Sequence, residues 1–325
     1  LGVKAKHLFF TSGGTESNAL VLFSTLFRGR GDILFSAVEH PSVSENCRAL
    51  ERLGKGAAPI AVGGDGRVTT ETLEAALKKN PETRLAAIMG VNNETGAVMD
   101  LSGLIARLRS RGGAPVHVHA DMVQAAGKIP LDLPALDLDS ASLSAHKLGG
   151  PRGIGLLYCR KDLEPLYRGG GQEGGKRPGT ENIAGALALA DCLERRLNPA
   201  ALGREYEAAA CRWKTLIQTL RSMDRCSLIP RDRGDADPRF SPYILQVAFQ
   251  GIPGEVLVRS LDDAGFAVST GSACSSASAQ RPILAAMGVD EKTAFEGIRI
   301  SQGWSTTAGE VEALIKAIGE ILKTL

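Results

Sequence analysis

Residues 85–120, LAAIMGVNNETGAVMDLSGLIARLRSRGGAPVHVHA, contain an apolar run at 85–91, a helical pattern at 101–111 and a second apolar run at 116–120. Apolar residues of the middle part recur with the period of a helix, and the two runs have the length of buried strands. A strand, a helix and a strand in this order are typical of a parallel sheet whose strands are connected through helices. This stretch therefore predicts an α/β fold.

The same alternation continues outward from this stretch. Further apolar runs lie at 7–11, 33–37, 58–62 and 154–159, and helical patterns lie at 15–27, 42–53 and 70–79. Ser42 and Glu45 have the spacing of a capping box, which predicts that the second helix begins there. We predict a mainly parallel sheet with helices on both faces, in a large domain of residues 1–200.

The pattern changes after about residue 180. Helical patterns at 181–196 and 202–221 are followed by a polar segment at 231–239, a strand at 244–249, a helix at 254–264 and a strand at 266–269. The last helix is amphipathic, and Thr307 and Glu310 are placed to cap it. We predict a smaller C-terminal α+β domain of residues 201–325.

Composition and charge exclude several functional classes. The 325 residues are 43% apolar and 23% charged, with 38 basic and 36 acidic side chains. No basic run is present, so nucleic acid is not expected as a partner. No apolar stretch approaches the roughly 18 residues of a membrane span, and the sequence shows no targeting segment, so we expect a cytoplasmic protein without a membrane partner.

The six cysteines have irregular spacing, which argues against a disulfide framework in a chain of this length. We expect most of them to be small buried residues. Cys274 differs, because it lies in the run STGSACSSAS at 269–278, whose small residues predict an accessible loop. A tight turn that carries a half-buried cysteine remains the alternative.

Two segments have the composition of an anion or cofactor site. Residues 11–18, TSGGTESN, lie between a strand and a helix, where backbone N–H groups and the helix N-terminus favour a phosphate; a well-capped helix start is the alternative. Residues 142–150, SLSAHKLGG, place Lys147 after His146 at a strand end. Lys147 is either a Schiff-base lysine, with Ser144 and His146 near a phosphate, or a solvated loop charge.

A third segment, VHVHADMVQ at 116–124, places His117, His119 and Asp121 on one strand face. These are possible zinc ligands, but no further His or Cys motif completes a metal site, so we predict none. The other interpretation uses Asp121 alone, as the carboxylate that pairs with a protonated pyridine nitrogen and keeps pyridoxal phosphate an electron sink.

Taken together, these segments resemble the cysteine desulfurases of the class V aminotransferase group, and most closely the branch that serves iron–sulfur cluster assembly. The resemblance runs from residue 10 to about residue 307. It rests on motifs that occur in the same order, at 11–18, 38–40, 91–94, 119–124, 142–147, 177–180, 269–276 and 298–301.

The resemblance implies pyridoxal 5'-phosphate as the cofactor and a role for each matching residue. The cofactor-binding set is Gly14, Thr15, His40, Asp121, Gln124, Ser144, His146, Lys147 and Thr180. Within it, Lys147 forms the Schiff base and moves protons, His40 stacks on the ring, Gln124 bonds the phenolic oxygen, and Thr180 reaches the phosphate from a second subunit. Asn93 and Arg299 bind the substrate carboxylate. Cys274 is the nucleophile that takes sulfur from L-cysteine.

The resemblance also implies a homodimer and a sulfur-acceptor or scaffold protein as partner. Members of the family usually carry several dozen residues before the phosphate loop, and this sequence begins just before that loop. We therefore expect the family's N-terminal segment to be absent. A selenocysteine lyase, another pyridoxal-phosphate lyase or aminotransferase, and an inactive relative that serves as a binding subunit remain alternatives.

Overall fold

The computed structural model describes residues 1–29, 31–271 and 281–325. Their contacts divide the chain into two compact units. The first unit comprises Leu1–Ala61, Val68–Val91 and Met99–Leu202. The second comprises Val62–Arg67, Asn92–Val98 and Gly203–Leu325. Two short excursions of the N-terminal half therefore belong to the C-terminal unit, and one of them carries Asn93.

The first unit is built on a seven-stranded sheet with the strand order β1-β7-β6-β5-β4-β2-β3. Its strands are β1 (Leu8–Thr11), β2 (Asp32–Ser36), β3 (Ala57–Ile60), β4 (Thr83–Ala87), β5 (His117–Asp121), β6 (Ser140–Ser144) and β7 (Gly155–Cys159). The pairings from β6 through β5, β4 and β2 to β3 are parallel. β7 runs antiparallel to both of its neighbours. The predicted mainly parallel sheet is confirmed.

Helices flank this sheet, as the alternating pattern predicts. They are α1 (Gly14–Ser24), α2 (Pro41–Arg52), α3 (Thr70–Lys79), α4 (Leu101–Ser110) and α5 (Ile183–Arg196). Short 3-10 turns lie at Ala5–His7, Thr25–Phe27, Ala145–Lys147 and Gln172–Gly175. One apolar cluster joins α1 and α2 to β2 and β4, and another joins β6 and β7 to α5. Because apolar side chains of the sheet are buried against helices, the polar ends of β5 and β6 are fixed in place.

The second helix begins one residue earlier than predicted, and its N-cap is a different residue. α2 begins at Pro41, and the N-cap is His40, whose Nδ1 accepts from the backbone N–H of Ser42. Proline suits the first helical position, because its φ is already helical and no N–H is left without a partner there. The Ser42–Glu45 capping box does not form, and His40 is held by the helix end instead.

The second unit contains a three-stranded antiparallel sheet with the order β10-β9-β8. Its strands are β8 (Cys226–Ile229), β9 (Ile244–Phe249) and β10 (Gly297–Ser301), and its helices are α6 (Pro199–Ser222), α7 (Gly254–Asp263), α8 (Pro282–Ala286), α9 (Glu291–Phe295) and α10 (Ala308–Thr324). α6 begins in the first unit and continues into the second. Thr307 and Glu310 cap α10 as predicted. An apolar cluster of the sheet with α6, α7 and α10 forms the core.

The predicted strand at 266–269 is wrong. Only Ser269 pairs, in an isolated antiparallel bridge with Arg299. α7 is followed by Gly265, whose φ of +86° turns the backbone at the end of the helix. Among the described residues, no helix is long and apolar enough to cross a membrane.

Candidate active site

Lys147 ends the 3-10 turn that follows β6, and its side chain is half-buried. The backbone turns sharply here, with Leu148 N–H and Gly150 N–H both donating to the carbonyl of Ala145 at 2.8 and 2.9 Å. Gly149 has a φ of +82°, which a side chain would disfavour. The glycines that follow Lys147 therefore serve to hold its backbone in a fixed turn.

Asp121 lies at the end of β5 and is 6% exposed. Its Oδ2 accepts from Asn18 Nδ2 at 2.8 Å, and its Oδ1 accepts from the backbone N–H of Val123 at 3.0 Å. Burial raises the pKa of Asp121, against the lowering effects of these hydrogen bonds and of the charges on His40 and Lys147. The fold thus brings Asp121 within electrostatic range of two other predicted site residues.

His40 and Glu39 occupy the turn before α2. His40 Nδ1 lies 2.8 Å from Ser42 Oγ, and Ser42 Oγ accepts from Asn18 Nδ2 at 2.8 Å. Glu39 is buried, and its Oε1 accepts from the backbone N–H of Met89 at 2.6 Å. Burial, helped by the negative charge of Asp121, raises the pKa of Glu39 well above its ordinary value. Burial and the neighbouring Asp121 therefore both favour the protonated form of Glu39.

The glycine-rich loop packs closely against the residues that follow β5 and β6. A Cβ built at Gly14 would lie 2.7 Å from Val123 Cγ2, so only glycine fits there. Ser144 Oγ lies 2.9 Å from His146 Nδ1, and Thr15 is exposed at the first turn of α1. Neighbouring positive groups and burial lower the pKa of His146, with burial the larger cause. These residues surround the N-terminus of an 11-residue helix, where an anion is favoured.

Gln124 and Thr180 are placed differently from each other. Gln124 is half-buried behind β5, and its Oε1 accepts from Lys128 Nζ at 2.7 Å. Thr180 is exposed, three residues before α5 begins. Arg177, in the same short motif as Thr180, pairs with Glu16 of α1 at 2.9 Å. This ion pair connects the Thr180 segment to the glycine-rich loop.

Asn93 and Arg299 lie together in the second unit. Arg299 Nη1 donates to the backbone carbonyl of Asn93 at 3.0 Å. Burial lowers the pKa of Arg299, and the neighbouring Glu94 opposes that shift. Glu94 is itself buried and pairs with Arg281 Nη2 at 3.5 Å. Two arginines therefore share one carboxylate, which leaves a positive charge for an incoming anion.

Several buried polar atoms around Arg299 have no hydrogen-bond partner among the described residues. They are Arg299 Nε, Arg281 Nε, Asn93 Oδ1 and both amide atoms of Gln246. Gln246 on β9 is the direct partner of Arg299 on β10, so the two side chains lie on the same face of the sheet. Unpaired buried polar groups are costly, and their concentration here indicates a place for a polar ligand.

Cys274 lies outside the described residues. Of the cysteines that the structure describes, Cys47 and Cys159 are buried, Cys192 and Cys226 are partly exposed, and Cys211 is exposed. Burial raises the pKa of Cys47 and of Cys226 to about 12 and that of Cys159 to about 11. These three are therefore protonated thiols at neutral pH and poor nucleophiles.

His117 and His119 bond to other side chains. Both contact Ser140 Oγ at 2.8 Å, and His119 Nε2 lies 2.9 Å from Asn18 Oδ1. In the part of the chain that the structure describes, no group of three or more His, Cys, Asp or Glu residues could hold a metal ion.

Sequence reasoning missed the residues that support the site. Asn18 stands in the quoted glycine-rich segment, yet its position one helical turn after Gly14 gave no sign that it reaches Asp121. Ser140 begins β6, and only the parallel register that pairs it with His119 reveals the contact. Glu16 and Arg177 both lie in quoted motifs, but they are separated by 161 residues. Pairing across such distances follows from topology and is not visible in local pattern.

These residues fit pyridoxal phosphate. A buried carboxylate that burial drives toward protonation is stabilised in its charged form by a protonated ring nitrogen. The close contact of Gly14 with Val123 and the Ser144–His146 pair leave helix N–H groups and side-chain donors for a phosphate. Lys147 supplies the amine. The donor set therefore matches the cofactor in its three chemically distinct parts.

Comparisons with known proteins identify the family and the fold. Residues 1–314 match the family model described as aminotransferase class-V. A cysteine desulfurase of Cereibacter sphaeroides is 39% identical over 333 residues, which cover all of this chain and 82% of that protein. A NifS/IcsS protein homolog of Lactobacillus delbrueckii is 38% identical over 99% of this chain and 83% of its own length. A solved NifS-like protein superimposes with a TM-score of 0.89 at 33% identity, covering 100% of this chain and 85% of that one.

Proposed function

We propose that this chain, which belongs to the pyridoxal-phosphate-dependent aminotransferase class-V family and to the cysteine desulfurases within it, works through Lys147, His40 and Cys274. The activity is the conversion of L-cysteine to L-alanine with release of the sulfur to an acceptor. The observation that carries the assignment of residues is the convergence of Lys147, Asp121 and His40 at the ends of β6 and β5 and the start of α2.

The first unit would hold the cofactor. Lys147 would hold it covalently through Nζ, His40 would stack on its ring, and Asp121 would accept from its ring nitrogen. Gln124 would donate to its phenolic oxygen. Its phosphate would be bound by Gly14, Thr15, Ser144 and His146, and by Thr180 of a second copy. When bound, pyridoxal phosphate stabilises negative charge that develops at the Cα atom of the substrate.

The chain's own residues would then bind the substrate and move its proton. Arg299 presents a positive charge that Glu94 neutralises only in part, and a guanidinium matches a carboxylate in bidentate geometry. Asn93, whose backbone carbonyl accepts from Arg299 Nη1, would bind the same carboxylate through an amide N–H of its side chain. Lys147 Nζ would take the Cα proton as general base, because an amine can accept a proton at that position and release it again.

Cys274 would take the sulfur. Its thiolate attacks the sulfur atom of L-cysteine, and an S–S bond forms while the Cβ–S bond breaks. The electron pair of the broken bond stays on Cβ, which gains a proton and becomes the methyl group of alanine. Cys274 is left as a persulfide, so sulfur is oxidised as carbon is reduced and no outside oxidant is needed. The run of small residues at 269–278 is the sequence pattern from which we predict the access that this step requires.

The persulfide implies a protein that accepts sulfur, and we propose iron–sulfur cluster assembly as its purpose. A homodimer is part of the proposal. Thr180 is exposed, and Ile183 and Leu187, one helical turn apart on α5, are each 68% exposed. A second copy would bury these apolar side chains beside the segment that carries Thr180. A cytoplasmic location agrees with the free thiols of the described cysteines.

The assignment of Lys147 is tested by reducing the full chain with borohydride after adding pyridoxal phosphate. Mass spectrometry should then find the cofactor on the peptide that contains Lys147. Lys147→Ala should lose this label and lower alanine formation from L-cysteine by about 10²–10⁴-fold, the usual contribution of a proton-transfer group. Lys79→Ala, at the exposed end of α3, is the matched control. A label on another lysine would contradict the proposal.

A further inference from the structure

A continuous chain of buried hydrogen bonds extends behind Asp121. Asn18 Nδ2 donates to Asp121, and Asn18 Oδ1 lies 2.9 Å from His119 Nε2. His119 Nδ1 lies 2.8 Å from Ser140 Oγ, and the same oxygen lies 2.8 Å from His117 Nε2. Asn18, His119 and Ser140 are fully buried. The chain therefore runs through the interior of the first unit, away from water.

The direction of every bond in this chain follows from Asn18. Its Nδ2 carries two hydrogens, and these go to Asp121 Oδ2 and Ser42 Oγ at 2.8 Å each. Its Oδ1 can only accept, so His119 Nε2 must carry a proton. The other contact of that nitrogen, with Ser142 Oγ, is longer at 3.4 Å. A reversed Asn18 amide would place its oxygen against the Asp121 carboxylate.

The tautomer of His119 follows in turn. Burial lowers the pKa of His119 to about 3 and that of His117 to about 4, so both rings are neutral and each carries one N–H. With Nε2 of His119 protonated, its Nδ1 accepts from the hydroxyl of Ser140. Ser140 Oγ then accepts from His117 Nε2. The hydrogen bonds therefore all point from His117 toward Asp121.

We propose that His119 is a positioning residue for Asp121. As the neutral tautomer with its proton on Nε2, it fixes the Asn18 amide in the one orientation that donates to the Asp121 carboxylate. The inference rests on the proposed role of Asp121 as the partner of the cofactor ring nitrogen. Without the His119 donor, the amide could reverse and present an acceptor to a carboxylate that burial already disfavours.

Two substitutions of His119 by an amide residue separate a role in positioning Asn18 from a general effect of losing the histidine ring. Glutamine can place its amide nitrogen where ring Nε2 lies, whereas the shorter asparagine cannot reach Asn18. In the full chain with pyridoxal phosphate, we expect His119→Asn to weaken cofactor binding about tenfold or more, the range for a buried group left unpaired. We expect His119→Gln to retain most of the affinity. Equal losses in the two variants would overturn the proposal.

A second measurement does not depend on activity. The ¹⁵N shifts of histidine-labelled full chain, recorded with and without pyridoxal phosphate, should show His119 protonated at Nε2 and bare at Nδ1. Ser140→Ala, which removes the donor to Nδ1, should shift the His119 Nδ1 signal and leave Nε2 protonated. A His119 proton on Nδ1 would overturn the proposal even in a chain that turns over cysteine. A correct tautomer in a chain that never binds the cofactor would instead contradict the proposed function alone.

Discussion

Two buried polar clusters of this chain differ in how completely their atoms are paired. In the first unit, the polar side-chain atoms of Asn18, His119 and Ser140 all have partners at 2.8–2.9 Å. In the second unit, Gln246 has no partner for either amide atom among the described residues, and Arg299 Nε and Asn93 Oδ1 are unpaired as well. Gln246 is as deeply buried as Asn18, His119 and Ser140, whereas Arg299 is only partly buried, so burial by itself does not explain the difference in pairing.

The difference corresponds to two kinds of binding. A cofactor that stays bound needs a carboxylate held in one position, and a fully paired network provides that rigidity. A substrate that enters and leaves needs donors and acceptors that the protein has not already used. We infer that the first cluster is organised in advance and that the second is completed by its ligand. The predictions below test this contrast.

The largest effect is expected at Arg299. Arg299→Lys keeps the positive charge and removes the planar fork, so we expect the KM for L-cysteine to rise about tenfold to a hundredfold with a smaller change in kcat. Steady-state kinetics of the full chain measures both constants. Arg259→Lys, on the exposed face of α7, is the matched control. A variant with a normal KM and a low kcat would show that Arg299 does not hold the carboxylate.

A smaller effect, in stability, is expected from His117. Burial lowers the pKa of His117 to about 4 in the folded chain, whereas the pKa of an unfolded histidine is 6.5. Below pH 6.5 the unfolded state therefore binds more protons than the folded state, and the free energy of unfolding decreases as the pH decreases. His117→Gln keeps a donor for Ser140 and removes the titration. Between pH 4 and pH 6.5, the free energy of unfolding of His117→Gln should decrease less steeply with falling pH than that of the parent chain. The two slopes should differ by up to about 1.4 kcal/mol per pH unit.

Urea unfolding at several pH values between 4 and 6.5 gives the two slopes for His117. Parallel slopes in the parent chain and in His117→Gln would mean that His117 takes a proton in the fold as readily as in the unfolded chain. The neutral state of His117, which the ordered direction of the buried chain assumes, would then be wrong.

The smallest effect is expected from Gln246→Leu. Leucine has a similar volume and removes two buried polar atoms that have no partner among the described residues, so the free energy of unfolding should change by less than about 1 kcal/mol or rise. Ser140→Ala, in the paired cluster, should lower it by about 1–3 kcal/mol because it leaves two histidine nitrogens unpaired. Equal losses in the two variants would remove the contrast between the clusters.

Local pattern was sufficient to predict much of the fold. The strand–helix alternation from residue 7 to residue 159 predicted the first sheet, because buried strands and amphipathic helices have different periods. Local pattern failed to predict strands whose formation depends on which strand they pair with. Residues 226–229 and 297–301 form strands along the two edges of β9, whereas among residues 266–269 only Ser269 pairs with another described residue.

The candidate site shows the same limit. Motifs pointed to Lys147, Asp121 and His40 because each lies at the end of a strand or the start of a helix. Asn18 and Glu39 lie within quoted motifs and Ser140 begins β6, but their contacts with distant residues depend on how the elements pack and cannot be seen in the local sequence. The N-cap role of His40 was also hidden, since Pro41 moved the helix start. The residues with candidate chemical roles could be recognised in the sequence. The residues that support them could be identified only once the topology was known.

The most direct test of the central claim is the mass of the peptide that contains Cys274. The full chain, loaded with pyridoxal phosphate, is given L-cysteine without an acceptor and then alkylated and digested. We predict that this peptide becomes heavier by one sulfur atom and that alanine appears in equal amount. Alanine with an unchanged Cys274 peptide, or the extra sulfur on another cysteine, would contradict the account.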